Sequence, residues 1–184
     1  EDYGTDSARA KLCCEISLET VKAADSLAPK DVCLYIGIPF CTTRCSYCSF
    51  VSASVEKSMR LIAPFLEALE KEAAALSSEV NRLGLRVVSM YFGGGTPTTL
   101  SASQLDRLFS LLEELFDLSS LRENTVEAGR PDTITADKLR VLGKHGVTRI
   151  SVNPQTMNDE VLEACPVAFV AWVAHSSWFR LPYR

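Results

Sequence analysis

The spacing of apolar residues changes period several times along the chain. Val32 to Ile38 is a short apolar run with Val, Tyr and Ile, and predicts a strand. Between residues 57 and 83, Leu61, Phe65, Leu69, Ala73, Leu76, Val80 and Leu83 recur at helical spacing, and Gly84 stops the helix. Arg86 to Phe92 reads as the next strand, from Val87, Val88, Met90 and Tyr91. Ser101 and Gln104 form the outer positions of a capping box. The helix it opens carries a stripe of Leu105, Leu108, Leu112 and Leu115. Asn124 to Ala128 is a third strand, Thr135 to Lys144 a third helix of the series with Gly146 near its end, and Val147 to Val152 a fourth strand. Asn158 is placed to cap a fourth helix.

Four βα units in series predict an α/β fold, a parallel sheet with covering helices. The loops that follow the strands are where (β/α) barrels place their chemistry. A closed barrel needs more repeats, so the expectation is a partial barrel of about four βα units, roughly half. Residues 1–30 are polar, with Leu12, Ile16 and Val21 on one side of a short helix that Pro29 ends. We therefore expect a lead-in at 1–30, a core at 31–163 and a divergent tail at 164–184.

The 184 residues are 47% hydrophobic and 23% charged, enough for one core. A net charge of -4 argues against nucleic acid as a partner, because a phosphate-binding surface wants a basic excess. The N-terminus has no basic, then apolar, signal pattern, and the longest apolar run, Val167 to Ala174, is too short to span a bilayer. The default compartment is the cytosol.

Cysteine changes the picture. An odd count of seven does not read as a disulfide framework, and Cys41, Cys45 and Cys48 crowd one loop directly after the first predicted strand. Three thiolates on a compact loop suit three corners of a [4Fe–4S] cube and leave one iron open to a small chelating ligand. Structural zinc wants four protein ligands, usually in two pairs. Cys33, Cys165, His145 and His175 are the candidates for a fourth, and none stands at a zinc spacing. Gly93-Gly94-Gly95-Thr96-Pro97 follows the second strand, and its backbone can approach a ligand closely. A purely structural turn is the other reading. Glu127, between Val126 and Ala128, turns away from both into one sheet face. There it needs a ligand or a salt bridge with Arg130 or Arg149.

C-x3-C-x2-C after a strand resembles the radical S-adenosylmethionine (SAM) superfamily. The flanking runs Tyr35 to Cys41, Tyr91 to Thr98, Val126 to Asp132 and Arg149 to Gln155 resemble its oxygen-independent coproporphyrinogen-III oxidase group, most of all the HemZ branch. The resemblance covers about residues 30–163. It implies that Cys41, Cys45 and Cys48 ligate the cluster, and that Gly94, Gly95, Thr96, Glu127 and Gln155 position SAM. It further implies SAM contacts from Tyr35, otherwise a packed strand tyrosine, and from the backbone of Tyr47, beside the adenine. Arg44 pairs with an anionic cluster or faces solvent.

The chemistry implied is one-electron cleavage of SAM to methionine and a 5′-deoxyadenosyl radical, with an external reductant supplying the electron. In the oxidase group that radical begins the oxidative decarboxylation of coproporphyrinogen III to protoporphyrinogen IX, so the implied partner is a porphyrinogen substrate. Two features depart from the group's pattern. Phe50 stands where the oxidases have a further cysteine, and Gly37 where they have His. Branches without that cysteine include haem-trafficking proteins, so haem is the alternative partner. After about Leu162 the group's arginine-containing continuation is missing, which reads as truncation or a frameshifted tail and makes an inactive fragment the further alternative. The expectation that follows is an unclosed half barrel with an exposed sheet edge and apolar face.

Overall fold

The computed structural model describes residues 4–43, 45, 47–50, 53–153, 158 and 160. The chain divides into one unit up to Asp31 and a second from Val32 onward. The first unit is helix α1, Ser7–Asp25, opened by Asp6, whose carboxylate accepts from the Ala8 and Arg9 N–H groups. α1 ends before Pro29, at Ser26, and Leu12, Ile16 and Val21 are exposed along it.

The second unit is built on a four-stranded parallel sheet. Its strands are β1 (Asp31–Ile38), β4 (Arg86–Gly94), β5 (Glu123–Glu127) and β6 (Arg149–Ser151), side by side in that order. β1, β4 and β5 are each followed in the chain by a covering helix, and sequential neighbours lie side by side as connection rules favour. Two further strands, β2 (Phe40–Cys41) and β3 (Ala53–Ser54), pair in parallel and frame the cysteine loop. The hydrophobic pattern does not reveal them, because two residues are too few to show a period.

Helices α2 (Val55–Leu83), α3 (Ala102–Leu115) and α4 (Ala136–Lys144) carry the covering layer. Both halves of the capping box form at α3, between Ser101 and Gln104. Gly84 and Gly146 take positive φ just past α2 and α4, where an L side chain would be strained. The core joins Ile36, Ile38, Met90, Phe92 and Val126 of the sheet to Leu105, Leu108, Phe109 and Leu112 of α3. Phe92 packs against Phe109 with ring centroids 4.4 Å apart.

The inner face of α2 keeps Phe65, Leu69, Ala73 and Val80 of the expected stripe in or against the core and shifts at the other three positions. Ile62, Leu66, Ala73, Ser77 and Val80 are buried, whereas Leu61, Leu76 and Leu83 are exposed. Helical spacing permits two neighbouring stripes here, and packing selects the one with Ser77. That hydroxyl satisfies the Leu115 carbonyl at the end of α3.

The other side of the sheet is polar. Tyr35, Tyr91, Glu123, Thr125, Glu127 and Arg149 share it, tied by Arg149–Glu123 (2.6 Å), Arg149–Thr125 (3.2 Å) and Thr125–Glu123 (2.6 Å) contacts. The expected apolar face is therefore corrected. The alternation that buries Ile36, Ile38, Phe92 and Val126 under the helices leaves tyrosines, carboxylates and threonine opposite. The helix expected after Asn158 and the tail lie outside the described residues.

Candidate cluster and SAM site

Cys41 lies at the end of β2, whose neighbour Phe40 is anchored by an edge-to-face contact with Phe65 of α2 (5.3 Å). The loop then turns through Cys45 and Cys48, with the Cys48 N–H donating to the Cys45 carbonyl. β3 closes the loop by pairing Ala53 with Phe40 and Ser54 with Cys41. All three cysteines line one cavity of about 220 Å³ at the C-terminal end of the sheet. Gly94, Gly95, Thr96 and Glu127 line it too, as does Tyr47.

The glycine run packs tightly here. β4 runs two residues further than expected, so Gly93 and Gly94 end the strand rather than follow it. Gly94 takes φ 101°, beside the Ile38 backbone. A Cβ on Gly95 would stand 2.7 Å from the Phe40 carbonyl oxygen and 3.0 Å from both the Ile38 oxygen and the Cys41 sulfur. The Gly95 and Thr96 N–H groups are not free. They donate to the Ile38 and Phe40 carbonyls, each at 2.8 Å. These bonds fix the end of β1 and the start of the cysteine-bearing strand against the segment that follows β4. The Thr96 hydroxyl adds a contact to the Cys41 sulfur at 3.5 Å. What this segment can offer an ammonium is carbonyl oxygen, not N–H.

Glu127 forms no ion pair with Arg130 or Arg149; its Oε1 accepts from the Tyr91 hydroxyl at 2.6 Å. That hydrogen bond, with burial, pushes the Tyr91 phenol up to about 12. The other carboxylate oxygen lies over Gly93, where a side chain would meet it together with Tyr35 and Tyr91. Tyr35 is 65% exposed, so it is not a packed core tyrosine. It stacks on Tyr91, with centroids 5.9 Å apart, and does not itself line the cavity.

Sequence reasoning missed the part played by Arg130. It had entered only as a partner for Glu127. It is 5% exposed and points into the cysteine loop. It donates to the Thr43 hydroxyl (2.6 Å), the Thr43 carbonyl (2.8 Å) and the Cys45 sulfur (3.0 Å). Its backbone is held by Thr133, whose hydroxyl contacts both the Arg130 carbonyl and Thr98 at 2.6 Å. The Lys138 ammonium joins the same two loops by donating to the Thr98 and Thr133 carbonyls, and desolvation pushes its pKa down. Asn153 also lines the cavity. Arg130 and Asn153 each follow a strand end, the position where (β/α) barrels place their chemistry. Gln155 and Arg44 lie outside the described residues.

Of the alternative zinc ligands, His145 and Cys33 are among the described residues. Both His145 ring nitrogens face carboxylates, Glu113 at 2.8 Å and Asp106 at 2.9 Å, and the ring stacks on Phe109. Cys33 is exposed, and Cys165 and His175 are outside the described residues. Among the described residues no three His, Cys, Asp or Glu side chains converge on a single metal ion. Ligands of a cube bind different irons and stand farther apart than ligands of one ion.

The radical SAM superfamily model matches residues 35–174. The chain belongs to the radical SAM superfamily. It is 43% identical over 135 residues to the oxygen-independent coproporphyrinogen-III oxidase-like protein HemZ of Bacillus subtilis, covering 73% of this chain and 27% of that protein. It is 38% identical over 130 residues to the haem chaperone HemW of the same organism, covering 70% and 33%. The solved radical SAM enzyme coproporphyrinogen III oxidase, HemN, of Escherichia coli superposes with a TM-score of 0.64 at 31% identity, over 77% of this chain and 32% of that one. The chain thus spans about a third or less of these relatives. The partial radical SAM barrel expected from the βα pattern is the fold observed.

Proposed function

We propose that this chain carries the cluster- and SAM-binding part of a radical SAM oxidoreductase that acts on a porphyrinogen. The observation that carries the reading is the shared cavity of Cys41, Cys45 and Cys48 with Glu127 and the glycine run. Three thiols at one end of a cavity fit a [4Fe–4S] cluster with one open iron. When bound, the cluster and SAM together supply one-electron reductive cleavage of a sulfonium. The chain's own residues bind and orient. The three cysteines ligate, and the carbonyls of the glycine run accept from the SAM ammonium. Glu127, held by Tyr91, presents one carboxylate oxygen to the ligand. Tyr47 and Gln155 complete the SAM contacts, and Tyr35 acts through its stack on Tyr91. The division into lead-in 1–30, core 31–163 and tail 164–184 belongs to the same proposal.

Oxidative decarboxylation of coproporphyrinogen III is the reaction favoured by the likeness to HemZ and HemN. Phe50 and the likeness to HemW favour a second reading, haem binding without turnover. Either way an external reductant is required, and nucleic acid is not a partner. No helix among the described residues is long and apolar enough to cross a membrane. The site is tested by anaerobic reconstitution with iron and sulfide, then an assay for 5′-deoxyadenosine with SAM and a strong reductant. The expected result is cluster uptake and product, both lost in Cys41→Ala. A chain that takes up no iron refutes the reading. Porphyrinogen turnover against stoichiometric haem binding separates the two partners.

A further inference from the structure

Among the described residues Arg130 is a buried cation without a buried anion. It is 5% exposed, and no carboxylate of the described residues pairs with it. Its three hydrogen bonds go to a hydroxyl, a carbonyl and a thiol sulfur. A guanidinium held this way is expensive unless negative charge arrives beside it. The surroundings nevertheless over-determine its position. Thr43 takes two of the guanidinium nitrogens on one side. On the other side Thr133, Thr98 and Lys138 lock the turn that carries it. A chain that fixes an unpaired buried cation against a cysteine loop is preorganised for an anion on that loop.

We propose that Arg130 is a positioning and charge-compensating residue for the cluster. It holds Cys45 through an N–H to sulfur hydrogen bond and raises the potential at which the cluster accepts its electron. The inference rests on the reading that Cys41, Cys45 and Cys48 bind a [4Fe–4S] cluster. Its physical basis is that reduction adds negative charge to the cluster and its thiolates. A nearby cation and a donor to sulfur stabilise the reduced state more than the oxidised one. Thr43 is the second anchor, because it sets the direction of the guanidinium toward Cys45 rather than toward solvent.

The test is the midpoint potential of the reconstituted cluster, measured by anaerobic redox titration without substrate turnover, in wild type, Arg130→Gln and Arg130→Lys. Arg149→Gln serves as the remote control, because Arg149 is exposed, pairs with Glu123 and does not line the cavity. We expect Arg130→Gln to lower the ratio of reduced to oxidised cluster about tenfold at fixed poise, a shift of ~59 mV for one electron. Arg130→Lys keeps the charge but loses the fork that reaches Thr43 and Cys45 together, and falls between. Should circular dichroism show that Arg130→Gln does not fold, Arg130→Lys decides, and a wild-type potential in it overturns the proposal. So does an unchanged potential in folded Arg130→Gln, or an equal shift in Arg149→Gln. An unchanged potential with weakened SAM binding also overturns it, and assigns the guanidinium to the SAM carboxylate. A wild-type chain without a cluster refutes the underlying reading instead, and this proposal with it.

Discussion

Gly95→Ala isolates the packing that brings the cysteine strand to the sheet. An added methyl would stand 2.7 Å from the Phe40 oxygen and 3.0 Å from the Ile38 oxygen and the Cys41 sulfur. Two of these atoms are backbone, and the third, the sulfur, ends the short side chain of buried Cys41. Phe40 and Ile38 are held as acceptors of the Thr96 and Gly95 N–H groups. Relief therefore moves backbone and weakens those hydrogen bonds. Overpacking a tight site costs about 1–3 kcal/mol. A weakened backbone hydrogen bond adds about 0.5–1.5 kcal/mol. The expected loss is roughly 2–4 kcal/mol, read as a lower urea midpoint at unchanged m-value. Cys41 moves with the strand, so iron uptake falls too. Gly143→Ala is the internal control: the added Cβ meets nothing within 4 Å on α4, so the same change there should stabilise by about 0.5–1 kcal/mol. Equal effects at the two positions, or a wild-type midpoint in Gly95→Ala, would refute the steric account.

Two further outcomes follow from hydrogen bonds at the same end of the sheet. The hydrogen bond that the Tyr91 hydroxyl donates to Glu127 holds its pKa up at about 12, so its folded value lies above the unfolded one near 10. The stabilisation is fully present below pH ~10 and is lost as pH rises through about 12. A phenolate absorbance titration should show one late tyrosine that is absent in Tyr91→Phe and moves earlier in Glu127→Gln; no change in Glu127→Gln would contradict the assignment. Thr133→Val leaves the buried Thr98 hydroxyl without its partner at 2.6 Å and removes the hydroxyl donor to the Arg130 carbonyl, which keeps only the residue-133 N–H. Chemical denaturation should show a loss of about 1–3 kcal/mol, and Cys45 should become more accessible to alkylation in the apo protein.

The strands, the covering helices and the capping box were legible because each is a local pattern. Strand alternation, helical spacing and a cap are set by residues a few positions apart. The cysteine triplet and glycine run were legible for the same reason. The two strands that frame the cysteine loop were not, since a two-residue pairing exists only when Phe40 meets Ala53 across the fold. The face of α2 was misread where Leu61 and Ile62 compete at adjacent helical positions, and only the partner surface chooses between them.

By itself the sequence determined which residues could carry the chemistry: three clustered thiols, a flexible backbone segment and a carboxylate at a strand end. Tertiary structure alone decided how they are used. Gly95 and Thr96 spend their N–H groups on the Ile38 and Phe40 carbonyls, and the Thr96 hydroxyl reaches the Cys41 sulfur, 55 residues away. Glu127 pairs with Tyr91 rather than with an arginine, and Arg130 turns to a loop 87 residues earlier at Thr43. Hydrogen-bond partners are chosen by direction and distance in the folded state. Neither is encoded in the spacing of residues that meet only after the sheet has assembled.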